Sequence, residues 1–152
     1  MNYFLVGGLS VLLTSLLASY LTNKSVKSEW YKCISPDITP PSYIFPIVWS
    51  ILYVLIAISF SIAIKNDDKN AIYLFSSNLV LNILWCYFYF YKKNIKLAFA
   101  IIMILIINTL SIIITMKSNV KFVLILYFKW LCFAALLNYK SIEKIEECKL
   151  KE

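Results

Sequence analysis

Residues 97–116 read LAFAIIMILIINTLSIIITM, twenty residues without one charged side chain. Within them Ile101–Ile107 and Leu110–Ile114 are nearly solid apolar runs. A helix apolar all round lies either inside a large protein or in lipid. A chain of 152 residues has no interior large enough to hide such a helix. About 20 residues of helix cross the roughly 30 Å hydrocarbon layer, so this stretch is read as a membrane span. Working outward, apolar stretches of similar length occupy 3–22, 43–64, 71–91 and 122–139. Residues of the AVILMFWYC class make up 61% of the chain, charged residues only 15%, and mean hydropathy is +0.77. A soluble domain is roughly half apolar and a quarter charged. The stretches lack the dyad alternation of an outer-membrane barrel, and lipid tolerates no open sheet edge. The expected fold is therefore an all-α membrane protein, a single domain over 1–152 in which five transmembrane helices form a bundle.

The first span is not read as a secretory signal: no lysine precedes Lys24, and the stretch is too long for an h-region. The connections 65–70, 92–96 and 117–121 are short and polar, which makes successive helices antiparallel neighbours. Only 23–42 is long enough to have its own shape, and it carries Pro36, Pro40 and Pro41, which stiffen it.

The net charge of +7 comes from fifteen lysines and eight acids, with no Arg and no His. Nucleic-acid readers rely on arginine and concentrate charge on one face; here lysines sit between spans, so no nucleic-acid partner is expected. Without His there is no imidazole base and no Ser-His or Cys-His pair. Ten lysines fall in loop one, loop three and the tail, against four in loops two and four. The positive-inside bias then puts the N-terminus outside and the C-terminus in the cytoplasm. Lys129, inside the fifth span, is read as snorkelling to the headgroups, with a subunit contact as the alternative. The cysteines Cys33, Cys86, Cys132 and Cys148 are dispersed with no C-x-x-C pair. Neither a metal site nor a disulfide framework is indicated, and isolated small apolar residues are the expectation.

Helical spacing groups the polar and aromatic residues. Asn78, Asn82, Trp85 and Tyr89 share one face of the third span; Trp49, Tyr53, Ile56 and Phe60 share one of the second. Tyr127, Trp130, Ala134 and Asn138 form a stripe on the fifth span, and Asn108, Ser111 and Thr115 on the fourth. Four such faces turned inward enclose an aromatic cavity for a planar apolar ligand. Interhelical packing through amides and hydroxyls accounts for the same spacing. Trp85 and Trp130 lie well inside their spans, away from the interfacial belt, which favours the cavity. In the first span Thr14 with Ala18, and Ser15 with Ser19, are small pairs that permit close helix approach, within the bundle or across a homodimer.

Three motifs in order complete the reading: W-Y…P-x-x-x-P-P-x-x-x-F-x-x-V-W-x-x-L-Y from Trp30 to Tyr53, L-x-L-N-x-x-W-x-x-x-Y-F from Leu79 to Phe90, and W-x-x-F-A-x-x-L-N-Y from Trp130 to Tyr139. Together they resemble the TspO/MBR family of tryptophan-rich sensory and translocator proteins. The resemblance implies a five-helix bundle that binds porphyrins and benzodiazepine-type or isoquinoline drugs, with cholesterol in some members. It also implies Trp49, Asn82, Trp85, Phe90, Trp130, Phe133, Ala134 and Asn138 as pocket residues, and Trp30, Tyr31, Pro40 and Pro41 as a lid within 23–42. With the spacing stripes, the ligand-binding set becomes these eight with Tyr53, Asn78 and Tyr89. The chain departs from the family pattern at Asn78 (usually Gln), at Ile101 (near an acidic position) and at Leu126 (usually Pro). The Trp30-to-Pro36 spacing is one residue short.

The leading expectation is a membrane protein that binds, carries or senses porphyrin-like planar ligands. Trp49, Trp85 and Trp130 would stack on the ring, Asn82 and Asn138 would donate to its polar edges, and Lys32 would meet propionates at the cytoplasmic mouth. No cofactor is required, although a porphyrin or haem-like ligand fits. The alternatives are light-dependent porphyrin breakdown, for which the resemblance points to Trp49 and Trp130, and a regulatory or structural subunit. Leu137, Tyr139 and Lys144 fit a proposed cholesterol pattern, a weak signal. The expected partners are membrane lipid, the small hydrophobic ligand and a second copy of the chain.

Overall fold

A computed structural model describes residues 1–150 as six α-helices: α1 (Tyr3–Asn23), α2 (Glu29–Ile34), α3 (Ile44–Lys65), α4 (Lys69–Cys86), α5 (Ile95–Thr115) and α6 (Leu124–Lys149). Short 3₁₀ turns occupy Ser25–Lys27 and Asn119–Val123, and α4 runs on into a π-helical turn, Tyr87–Tyr91. Five of the helices are long and apolar enough to span a membrane. The 22 residues of α3 alone extend about 33 Å. Large apolar side chains such as Leu13, Ile104, Ile107 and Ile114 remain exposed on the outside of the bundle, where acyl chains would cover them.

Capping residues decide where the spans begin. Asn2, Asp68 and Asn94 accept from the backbone N–H of Leu5, Ala71 and Leu97, each bond spanning three residues. Consequently α4 and α5 start two residues before the hydropathy boundaries at 71 and 97. The other carboxylate oxygen of buried Asp68 accepts from Lys117 N–H at 3.0 Å, tying two turns on the same side together. With both glycines of the chain in α1, the turns after α3 and after the π-helical segment use Asp67 (φ 49°) and Lys93 (φ 55°) in the left-handed conformation.

At the far end the difference is larger. The hydropathy window closes at 139, where charges begin, yet α6 continues to Lys149. Ile142, Ile145 and Cys148 recur every three residues along this extension and pack in the same cluster as buried Ile34 of α2. Loop one is thus not merely an extended proline segment: it contains α2, capped by Ser28, whose hydroxyl accepts from Tyr31 N–H. The expectation of four isolated cysteines is also corrected. Cys33 of α2 and Cys148 of α6 form a disulfide across a sequence separation of 115 residues, while Cys86 and Cys132 are free. Local spacing gave no sign of it, because the contact exists only once α6 extends beyond the membrane and α2 folds against it.

Around the bundle α3 lies beside α1, α1 beside α4, α4 beside α5, and α5 beside α6; only slight contact between α3 and α6 closes the ring. Close approach of α1 and α3 occurs at Gly7, where an added methyl would overlap the Ser61 hydroxyl and come within 3.0 Å of the Ser61 nitrogen. At neighbouring Gly8 no atom of the described residues lies within 4 Å of such a methyl. Gly7→Ala is therefore expected to destabilise the bundle by about 1–3 kcal/mol through overpacking, whereas Gly8→Ala is neutral or slightly stabilising. Thermal unfolding of the two variants in detergent checks this; equal midpoints would show that the α1–α3 contact yields freely.

Candidate ligand cavity

One end of the bundle opens into a cavity of about 610 Å³, a size typical of small-molecule sites. Among the described residues, no charged side chain lines it. From α3 come Phe45, Trp49 and Tyr53, from α4 and its π-helical end Trp85, Tyr89 and Phe90, and from α6 Trp130, Ala134 and Asn138. The aromatic rings contact one another in sequence. Trp49 lies 5.4 Å from Tyr53 and 6.5 Å from Trp85, and Trp85 lies 5.6 Å from Tyr89, centroid to centroid. Phe45 meets Trp130 at 5.9 Å.

The π-helical turn has a local consequence. Lys92 N–H donates to Tyr87 C=O at 2.9 Å, five residues back, so the helix widens over the aromatic run. Phe90, five residues after Trp85, thereby joins Tyr89 on the wall, and its carbonyl accepts from Ser25 Oγ at 2.8 Å. That bond anchors the start of loop one to the end of α4.

The predicted residues divide by depth in the bundle. Trp49, Tyr53, Trp85, Tyr89, Phe90, Trp130, Ala134 and Asn138 are brought to the cavity, as is Tyr31 of the lid. Asn78 and Asn82 are buried away from it. Asn78 Nδ2 donates to Asn108 Oδ1 (2.8 Å) and Thr109 Oγ1 (3.0 Å), and its own carbonyl oxygen accepts from Tyr127 Oη (2.9 Å). Asn82 Nδ2 donates to Tyr127 Oη at 2.6 Å. Phe133 faces a separate shallow groove between α3 and α6, shared with Lys129 and with Trp130. Trp30 sits behind the wall, against Tyr89 and beneath the Lys93 ammonium, while Pro40 and Pro41 lie off the lining.

Asn138 differs from expectation in its role. Its Oδ1 accepts from Trp85 Nε1 at 3.0 Å and its Nδ2 donates to the Ile95 carbonyl at 3.0 Å. It fixes the Trp85 indole in place, with both ends of its amide already engaged. Two other lining polar groups have no protein partner among the described residues: Trp130 Nε1 and Thr39 Oγ1. Both atoms are covered by protein and not exposed at the cavity surface, and a buried polar group left unpaired costs about 1–3 kcal/mol.

The fourth predicted face does not take part. Asn108 bonds to Asn78 and to the Leu74 carbonyl, and Ser111 and Thr115 turn back onto their own helix. Helix α1 supplies that wall instead, through Gly8, Ser15, Ser19 and Thr22. Their spacing, seven, four and three residues, was a legible stripe of small residues; the one pair read within it, Ser15 with Ser19, concerned helix approach and not a cavity.

The segment after α2 closes the remaining side with Ser35, Pro36 and Thr39. Lys144 of α6 holds it, donating to the Ser35 carbonyl (3.1 Å) and to Asp37 Oδ1 (2.9 Å). That hydrogen bond and the lysine's charge keep the Asp37 carboxyl below its ordinary pKa. Lys32, expected at the mouth, points outward into an exposed pair with Glu29.

The structure thus defines a five-span helical membrane bundle with a tryptophan-walled internal cavity. The chain belongs to the TspO/MBR family, whose model matches residues 7–143. It is 34% identical over 122 residues to the tryptophan-rich protein TspO of Bacillus cereus, covering 75% of this chain and 79% of that protein. It is 33% identical over 137 residues to the protein of the same name from Archaeoglobus fulgidus, covering 86% and 89%. The tryptophan-rich sensory protein of Cereibacter sphaeroides is 24% identical over 119 residues, 75% of each chain. This is a multi-pass membrane protein with five spans.

Proposed function

We propose that the cavity binds planar, hydrophobic ligands of the tetrapyrrole class, and that the protein carries or senses them in the membrane. The observation that carries this reading is the uncharged cavity of about 610 Å³ walled by Trp49, Trp85 and Trp130. Broad flat rings gain most from indole faces, and the absence of charge from the lining favours a ligand whose charges stay at the mouth. Family membership supports the same ligand class.

Titrating the purified protein with protoporphyrin and following tryptophan fluorescence tests it. Saturable one-to-one quenching is expected. Ala134, only 6% exposed at the wall, offers a way to fill the site: Ala134→Phe should weaken binding at least about tenfold, or 1.4 kcal/mol, with the helix content unchanged. Quenching that rises linearly without saturation, or undiminished affinity in that variant, would overturn the reading.

The proposed orientation has the N-terminus outside and the C-terminus in the cytoplasm, supported by the ten-to-four distribution of lysines in the connections and tail. A protease-sensitive tag after Glu152 should then be cut only in inside-out vesicles. Cleavage in right-side-out vesicles alone would reverse the assignment.

A further inference from the structure

The lid segment is attached to the extramembrane end of α6 in two ways. One is the Lys144 contact with Ser35 and Asp37, with the Asp37 side chain 96% exposed; a pair so open to water contributes little. The other is covalent, Cys33 to Cys148. Between them Ile34 is fully buried in the cluster that includes Ile142 and Ile145. The residues in and beside these attachments close the cavity: Ser35 and Pro36 lie within the attached stretch, Tyr31 precedes Cys33 by two positions, and Thr39 follows Asp37 by two.

The disulfide also lies on the lysine-rich side of the bundle. In the proposed orientation that side faces the cytoplasm, where the glutathione pool keeps most thiols reduced and a disulfide is typically transient. Cys33 is partly buried while Cys148 is buried, so of the two ends Cys33 is the one nearer to solvent. The two remaining cysteines are no substitute, because Cys86 and Cys132 lie within α4 and α6, in the membrane-spanning part of the bundle.

We propose that Cys33 and Cys148 form a reversible thiol–disulfide site, exchanging with small thiols of the glutathione class, and that its state sets how firmly the lid closes over the cavity. In the opening direction a glutathione thiolate attacks Cys33 Sγ. The Cys33–Cys148 bond breaks, a mixed disulfide forms on Cys33, and Cys148 leaves as a thiolate that takes a proton from water. A second glutathione thiolate attacks the mixed disulfide at the glutathione sulfur and releases Cys33, which is protonated in turn. Two glutathione thiols are oxidised to one glutathione disulfide while the protein disulfide is reduced to two thiols. Glutathione disulfide drives the reverse sequence and closes the latch. With the bond broken, Ile34 and the exposed Lys144 contact are left to hold the segment.

This inference goes beyond ligand binding, and its test needs no ligand. The full-length protein in detergent is equilibrated with glutathione buffers from reducing to oxidising. Its free thiols are counted, and hydrogen exchange of the backbone amides of residues 29–35 is followed. The expected thiol count is two in oxidising buffer (Cys86 and Cys132) and four in reducing buffer. Exchange over 29–35 is expected to be at least about tenfold faster in the reduced protein, because a cross-link removes open states of the segment it ties. Cys33→Ser and Cys148→Ser should each show the fast rate in both buffers, so that one well-folded variant suffices. A thiol count that stays constant across the buffers overturns the proposal. Equal exchange rates in the two states do so as well.

Discussion

Replacing Trp49 and Trp130 together by alanine is expected to lower protoporphyrin affinity at least about a hundredfold, equivalent to ~2.8 kcal/mol. Both indoles line the cavity, one from α3 and one from α6, the two helices that touch each other only slightly. The ring faces that would hold a flat ligand are therefore supplied by two helices that barely touch, and the backbone does not fill in when they go. Stacking of an aromatic ligand on one such face is worth about 1–3 kcal/mol. The conservative pair Trp49→Phe with Trp130→Phe keeps most of the packing against Tyr53, Tyr127 and Phe45 and should lose about tenfold. Trp85 remains in both variants as the fluorescent reporter. A lipid-face control, Tyr73→Ala, at a side chain 73% exposed, should bind as the parent does. Unchanged affinity in the phenylalanine pair would remove stacking from the account.

The second large effect concerns stability. Asn78 is fully buried, donates to Asn108 and Thr109, and accepts from Tyr127. Leucine at this position strips partners from three other side chains on two other helices, each in surroundings without water. Individual side-chain hydrogen bonds within membranes average about 0.6 kcal/mol, but an orphaned buried group costs about 1–3 kcal/mol. Asn78→Leu is thus expected to destabilise the bundle by about 2–4 kcal/mol, and Tyr127→Phe, which removes a single hydroxyl, by about 1 kcal/mol. Denaturant unfolding in micelles measures both. Because Asn78 is absent from the cavity wall, the folded fraction of Asn78→Leu should still bind protoporphyrin normally. A variant that is fully stable yet binds poorly would make Asn78 a ligand contact, as its spacing with Trp85 suggests.

That stripe on α4 shows how far helical periodicity reaches. Asn78, Asn82, Trp85 and Tyr89 do share a face, and the face does turn inward. Over its length, about 16 Å at 1.5 Å per residue, the surroundings change. The amides meet α5 and α6, whereas the indole and phenol rings edge the cavity while their polar atoms are held by Asn138 and Ser141 of α6. Periodicity reports direction around a helix axis and says nothing about what stands opposite at each depth. The same limit explains the fourth span: Asn108 faces inward as its spacing implies, but what it meets is Asn78. The cavity wall was contributed by α1, whose small side chains carry little chemical signal of their own.

Five spans, their order along the chain, and the inward turn of Trp49, Trp85 and Trp130 follow from the chain itself, because charge, hydropathy and helical repeat act over neighbouring residues. Which helix stands beside which is decided by close contacts such as Gly7 against Ser61, and these appear only when distant segments meet. The pairing of Cys33 with Cys148 and the lid held by Lys144 likewise depend on α6 running past the lipid to receive α2. Those features belong to the tertiary structure, since the free energy that fixes them lies in surfaces no single segment owns.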